Sequence, residues 1–196
     1  HFVVGEIHYA VAAIVEHLQN FFALFETTAQ AHTNKNAGVF GIGKTVVELG
    51  DRSPAKQLAE FVVLYSPLQM AADAIENYEG QPALTFIESC PTTWSKTIIP
   101  HGEIGQYITV CRKERGGNRW FVGSMTNADS RTLDVKLDFL DKGKVYRAVI
   151  YEDGADADFE TNPYPMHIRQ IEVKADDTLH LKLARSGGAA IRIEEI

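Results

Sequence analysis

Three stretches of this chain carry residue types at spacings that could do chemistry. The first is residues 38–45, GVFGIGKT, in which Gly38 and Gly43 precede Lys44 and Thr45 at the spacing of a phosphate-binding loop. Such a loop cradles phosphates with backbone N–H groups and reaches them with the lysine, but it must follow a strand and open a helix. Here the polar string HTNKN leads in, and TVVELGD, which reads as a strand, comes after. The string matches and its setting does not, so nucleotide binding is not expected. The second is DGADAD, with Asp153, Asp156 and Asp158. A calcium loop wants D-x-D-x-D-G with a glutamate at its twelfth position. The order here differs, and a hairpin loop with acidic solubility residues is the expectation. The third is residues 58–73, LAEFVVLYSPLQMAAD, the longest apolar run, which ends on the carboxylate of Asp73 with Glu76 and Glu79 just beyond.

The remaining reactive side chains are dispersed. The 7 histidines form neither HExxH nor CxxH, and the 2 cysteines, Cys90 and Cys111, form no CxxC pair. Metal ligation by these residues is not expected, and both thiols read as small buried hydrophobes rather than a disulfide. With 196 residues, 45% hydrophobic, 23% charged and a net charge of −7, the chain has ordinary globular composition. It has no dense Lys/Arg cluster of the kind a nucleic-acid binder shows. It also has no apolar run long enough to span a bilayer. It begins at His1 with neither an initiator Met nor a signal-peptide pattern, as expected of a processed, truncated or partial chain.

Several elements must position these residues. Residues 1–32 read as an amphipathic packing helix, with Ile7, Val11, Ile14, Val15, Leu18, Phe22 and Phe25 at spacings of three and four. Ser53 is a good N-cap and Pro54 fits the first helical position. Leu58, Phe61, Val62 and Tyr65 then make one apolar face, and Pro67 interrupts it. The stretch after Pro67 admits two readings. Residues 68–72 form a buried parallel strand with Asp73 at its C-terminal tip, or the whole run is a Pro-kinked core helix with Asp73 at its solvated end. Residues 82–90 read as a short helix bounded by Pro82 and Pro91. PTTWSKT reads as a polar linker containing Trp94, with a domain boundary between about residues 91 and 105. From Tyr107 the period becomes alternating. Strands are expected at 107–112, 120–125, 133–137, 145–151, 167–173, 179–183 and 190–193. ERGGNR forms a hairpin loop with charged shoulders. About seven short strands with turn signals between them indicate an antiparallel sandwich.

Taken in order, RSPAKQLAEFVVLYSPLQMAADAIENYEG, the Trp94 linker, EIGQYITVCRK, NRWFVGSMT, LDFL, DGADAD with TNP, and LARSGGAAIRI closely resemble the C-terminal part of family-97 glycoside hydrolases. These are bacterial enzymes of the α-glucosidase and α-galactosidase type. The resemblance covers roughly residues 51–196. It implies an α+β chain: the helical tail of a (β/α)8 barrel, then a C-terminal antiparallel β-sandwich that packs on the barrel and is associated with oligomerisation. Residues 51–95 would hold the last strand and helices of that barrel and 96–196 the sandwich. Residues 1–50, a largely helical segment and loop, carry no resemblance. They are either a divergent segment or the product of a frameshift or truncation.

The family's acid and metal-binding glutamates lie in an E-G-x-x-G-x-E stretch that this chain lacks. A barrel needs about 250 residues and a sandwich about 100, so no complete active site and no catalytic residue is expected here. The fragment is expected to be inactive alone. Asp73, at the tip of the last barrel strand, is the one residue nominated as a substrate contact. A carboxylate there can bind sugar hydroxyls, or do acid–base or nucleophilic work when a second lies about 5–10 Å away. Calcium belongs to the full-length family and is not expected to bind this fragment. The implied partners are an α-linked oligosaccharide for the full-length enzyme and a second copy of the chain, without nucleic acid or membrane, in a periplasmic or secreted setting. Trp94, Trp120, Tyr107 and Tyr151 could stack on sugar rings, with core packing the stronger reading. From a different class, the chain reads as a free-standing carbohydrate-binding or oligomerisation module.

Overall fold

The computed structural model describes residues 53–69 and 78–196. Residues 1–52, with the phosphate-loop string, and residues 70–77, with Asp73 and Glu76, lie outside the described residues.

The first described element is helix α1, Pro54–Val63. Ser53 is extended, and its Oγ accepts from the Lys56 N–H at 3.2 Å. That satisfies one of the amides a helix start leaves open, and Pro54 has no amide to leave. The helix stops four residues short of Pro67. To continue, the Pro67 nitrogen would have to donate to the Val63 carbonyl, and it carries no hydrogen. Ala55, Leu58, Ala59 and Val62 are fully buried. Tyr65, expected on that face, lies past the helix end and is 61% exposed. The stripe is therefore turned toward the two alanines, which let the helix approach its neighbour closely.

Of the buried strand expected at 68–72, residues 70–72 lie outside the described residues. Leu68 is 71% exposed and belongs to no strand. Ser66 Oγ donates to the Leu68 carbonyl at 2.6 Å and accepts from its amide at 3.2 Å, a local turn that competes with extended or helical backbone. So at residues 64–69 the run is neither a strand nor a kinked helix. Helix α2, Leu84–Ser89, ends before Pro91 as expected and buries Phe86.

Eight strands follow among the described residues: β1 Trp94–Glu103, β2 Tyr107–Glu114, β3 Trp120–Thr126, β4 Arg131–Lys136, β5 Tyr146–Asp153, β6 Met166–Val173, β7 Thr178–Leu183 and β8 Gly188–Glu195. Seven fall where alternation placed them. β1 is the correction: it begins inside PTTWSKT, the stretch read as a polar linker. It pairs antiparallel with β2 through two register shifts and holds Pro100 near the second. A proline and bulges on a strand with one free side blunt the sheet edge. The expected hairpin loop is present, with Gly116 at φ 79° and Arg119 pairing bidentately with Glu114 at 2.8 and 2.5 Å. That pairing holds the Glu114 carboxyl below its ordinary pKa.

The strands form an antiparallel six-stranded sheet in the order β1-β2-β3-β8-β5-β6 and a two-stranded sheet β4-β7. One face of the large sheet meets the small one in the sandwich core. Trp120, Val122, Ala148, Ile150, Ile191 and Ile193 pack there against Val135, Leu179, Leu181 and Leu183. The other face receives the helices. Phe86 meets Phe121 and Tyr151 edge-on at 5.9 and 5.3 Å, and α1 lies over β3 and β8. β3 is consequently buried at every position, which is why it reads WFVGSMT rather than apolar–polar alternation. The architecture is three-layered: helices, a six-stranded sheet, a two-stranded sheet.

Gly123 sets how closely α1 approaches. A Cβ there would stand 2.6 Å from the Ala59 carbonyl oxygen and 3.0 Å from Val62. Gly123→Ala is expected to destabilise the domain by about 1–3 kcal/mol, read as a lower urea midpoint at unchanged slope. An unchanged midpoint would show that α1 is not seated on β3.

Candidate functional site

The described residues with the densest polar chemistry are those gripping the two ends of α1. An α-helix leaves its last four carbonyls without intrahelical donors. Here those of Phe61, Val62, Val63 and Leu64 are all met by side chains. Arg112, on β2 between Thr97 of β1 and Phe121 of β3, donates from Nε to the Val62 carbonyl at 2.7 Å and from Nη2 to the Val63 carbonyl at 3.3 Å. Gln69 reaches back to Leu64 at 3.1 Å and Phe61 at 3.4 Å. The same guanidinium donates to Thr97 Oγ1 at 3.3 Å. It lies 5.5 Å from the Tyr65 ring centroid and 5.8 Å from that of Trp94. Half-burial lowers its pKa below the usual guanidinium range, yet a guanidinium stays protonated in proteins. A cation at the negative end of the helix dipole is stabilising.

The opposite end carries the opposite charge. Asp153, the last residue of β5, accepts the Ser53 hydroxyl on Oδ1, and the amides of Ala184 and Gly188 on Oδ2 at 2.8 and 2.9 Å. Beside it the buried Lys56 donates to the Thr126 carbonyl at 2.9 Å and to Ser186 Oγ at 3.2 Å. Ser186 sits at φ 50°, a left-handed conformation that costs a non-glycine residue about 1–2 kcal/mol. A Cβ on Gly188 would meet Lys56 Cα at 2.6 Å, and one on Gly187 would overlap the Asp153 carboxylate. The β7–β8 turn and the first turn of α1 thus fit only one way. Burial pushes the Asp153 pKa up, and the bonds from Ser53, Ala184 and Gly188, with Lys56 nearby, pull it back. Asp153 is therefore a buried structural anchor, not the solvated loop acid expected.

The other residues singled out by sequence are not brought together. Asp156 is exposed and accepts from Asn162 Nδ2 at 3.0 Å. Asp158 accepts the amides of Glu160 and Thr161 at 3.0 and 3.1 Å and pairs with Arg185 at 3.1 Å. With Asp153 and Asp158 committed to these donors, the acidic run does not fit calcium. Among the described residues no group of three or more His, Cys, Asp or Glu could hold a metal ion. Trp94, Trp120 and Tyr151 are buried, and Tyr107 is half-buried beneath the Arg131 guanidinium at 4.8 Å, so these aromatics pack the fold. Cys90 and Cys111 are free thiols, each pushed up to about 12 by burial. Glu79 is exposed.

Asp153 yields a pH signature. Its pKa is raised in the folded state, so the native chain binds the proton more tightly than the unfolded one. The stability it contributes is then greatest below its ordinary 3.8 and is lost as pH rises through the raised value. Asp153→Asn keeps an acceptor and does not titrate. In urea titrations stepped from about pH 3.5 to pH 7, the stability of the wild type relative to this variant is expected to fall with rising pH. A difference that grows would contradict the assignment.

A model of the family described as "Glycosyl-hydrolase 97 C-terminal, oligomerisation" matches residues 93–194. A retaining alpha-galactosidase of Bacteroides thetaiotaomicron is 34% identical over 145 residues, covering 71% of this chain and 20% of that protein. A Glycoside Hydrolase Family 97 enzyme from Pseudoalteromonas sp. strain K8, solved in complex with acarbose, superposes with a TM-score of 0.72 at 45% identity over 74% of this chain and 23% of its own. A variant of that enzyme in complex with panose gives 0.75 at 42%, over 82% and 26%. The chain thus spans between a fifth and about a quarter of the length of these relatives. By the match across β1 to β8, the chain belongs to the C-terminal, oligomerisation-domain family of family-97 glycosyl hydrolases.

Proposed function

We propose that this chain is the C-terminal segment of a glycoside hydrolase acting on α-glucosides or α-galactosides. Its sandwich supports the catalytic barrel and joins copies of the enzyme. In this reading residues 51–95 close the barrel and residues 96–196 are the sandwich, with β1 carrying the sheet back to Trp94. Asp73 touches the sugar. The acid and nucleophile, and any calcium the whole enzyme uses, come from residues outside this chain, so the segment alone does not turn over substrate. The protein works in the periplasm or outside the cell.

The observation that carries the reading is the match over residues 93–194 together with 34% identity to a retaining alpha-galactosidase. Chemistry adds a second support. Glycoside hydrolysis takes two carboxyl groups flanking the scissile bond, and the buried carboxylate of the described residues, Asp153, is committed to Ser53, Ala184 and Gly188.

Assays of the isolated chain on p-nitrophenyl α-glucoside and α-galactoside are expected to show no release above buffer, while sedimentation velocity shows self-association that rises with concentration. Turnover by the isolated chain would refute the proposal. A strictly monomeric chain that binds one oligosaccharide class on a glycan array would point instead to a free-standing carbohydrate-binding module.

A further inference from the structure

We propose that Arg112 is a positioning residue through which the sandwich sets the end of α1 and the exit of residues 64–69, so that the C-terminal domain acts on turnover as well as on assembly. The inference rests on the reading of residues 51–95 as the closing part of the barrel.

The geometry is specific. Pro67 withholds the amide that would close the last turn on the Val63 carbonyl, and Arg112 Nη2 takes that place while Nε takes the Val62 carbonyl. Nη1 ties the same group to Thr97 on β1. One side chain therefore spans two strands and the helix end. A rotation or slide of the last turn would break two bonds at once. It would also separate the guanidinium from the Tyr65 ring, 5.5 Å away. Tyr65 and Leu68, exposed at 61% and 71%, are the large apolar side chains the segment presents outward as it leaves this grip. In a whole enzyme they are the surface the rest of the barrel would cover, so the grip fixes where that surface stands. The requirement is for a planar fork: a lysine ammonium can satisfy one of these carbonyls but cannot hold both in plane while stacking on two rings. Displacements of about 1 Å transmitted to reacting groups can cost on the order of 10²-fold in rate.

The test uses Arg112→Met and Arg112→Lys. In the 196-residue chain, R112M is expected to speed amide hydrogen exchange at residues 61–69 by about tenfold or more while β3 and β8 stay within about twofold. R112K should fall between R112M and wild type. In the intact enzyme, with rates normalised to folded protein by near-ultraviolet circular dichroism, R112M is expected to lower kcat on p-nitrophenyl α-glycosides by about ten- to a hundredfold. KM should stay within about twofold and R112K should recover part of the loss. A purely structural arginine would reduce the folded fraction and leave kcat per folded molecule unchanged; that result, or unchanged exchange at 61–69, overturns the inference alone. An intact wild-type enzyme with no turnover of α-glycosides overturns the barrel reading itself, and the positioning role with it, whatever the exchange shows.

Discussion

The structure depends on how the two ends of one ten-residue helix are satisfied. Pro54 and Pro67 bracket α1 and mark its bounds. At one end Ser53 takes up one of the open amides and is itself held by Asp153. At the other Arg112 and Gln69 take up the open carbonyls and the negative pole. Helix termini buried without partners would each leave several polar groups unpaired, at about 1–3 kcal/mol apiece. The anchoring side chains Asp153 and Arg112 come from β5 and β2, on either side of the β3–β8 pair under the helix. Helix and sheet therefore specify each other. The sheet supplies Asp153 to hold the capping serine and Arg112 to meet the last carbonyls, and the helix supplies the cover that lets β3 be buried on both faces.

That mutual fit explains the distribution of small residues. Gly123 and Gly188 lie where backbone must approach backbone, under Ala59 and Lys56 respectively, and alanines at 55 and 59 complete the close seam. On the far side of the sheet there is no such constraint, and branched and aromatic side chains fill the space toward β4 and β7. Thr109 and Ser124, buried within the sheet, share a 2.8 Å hydrogen bond and so leave no hydroxyl unpaired there. The large sheet thus has a thin face for a helix and a thick face for a second sheet.

Much of this was legible in the sequence, and the failures have physical causes. Ser53-Pro54 announced the start of α1 because capping is local chemistry. ERGGNR announced its hairpin because a left-handed glycine and a charge pair act within six residues. The strands from Tyr107 onward declared themselves by alternation because each has one face on the core. β1 did not, because both its neighbourhood and its composition obscure it: its burial is low almost throughout, Pro100 and two register shifts interrupt it, and no period of two survives. Asp153 was misread because DGADAD looks like a solvated turn. The partner that buries its carboxylate, Ser53, is 100 residues away in the chain. Asp73, the nominated sugar contact, lies outside the described residues.

Arg112 shows where a sequence reading could have gone further. The recognised Pro67 break implies an orphan carbonyl at Val63, four residues earlier, and a buried orphan acceptor demands a donor. Which donor is a question of topology: β2 and β3 form the hairpin that passes beneath the end of α1, and Arg112 is the β2 residue placed against its last turn. A local rule creates the vacancy and a non-local arrangement fills it. The consequence reaches past stability. The element that Arg112 holds is also the one from which the chain departs toward residues 70–77, so this guanidinium is one of the ties between the sandwich and the segment proposed to close a catalytic barrel.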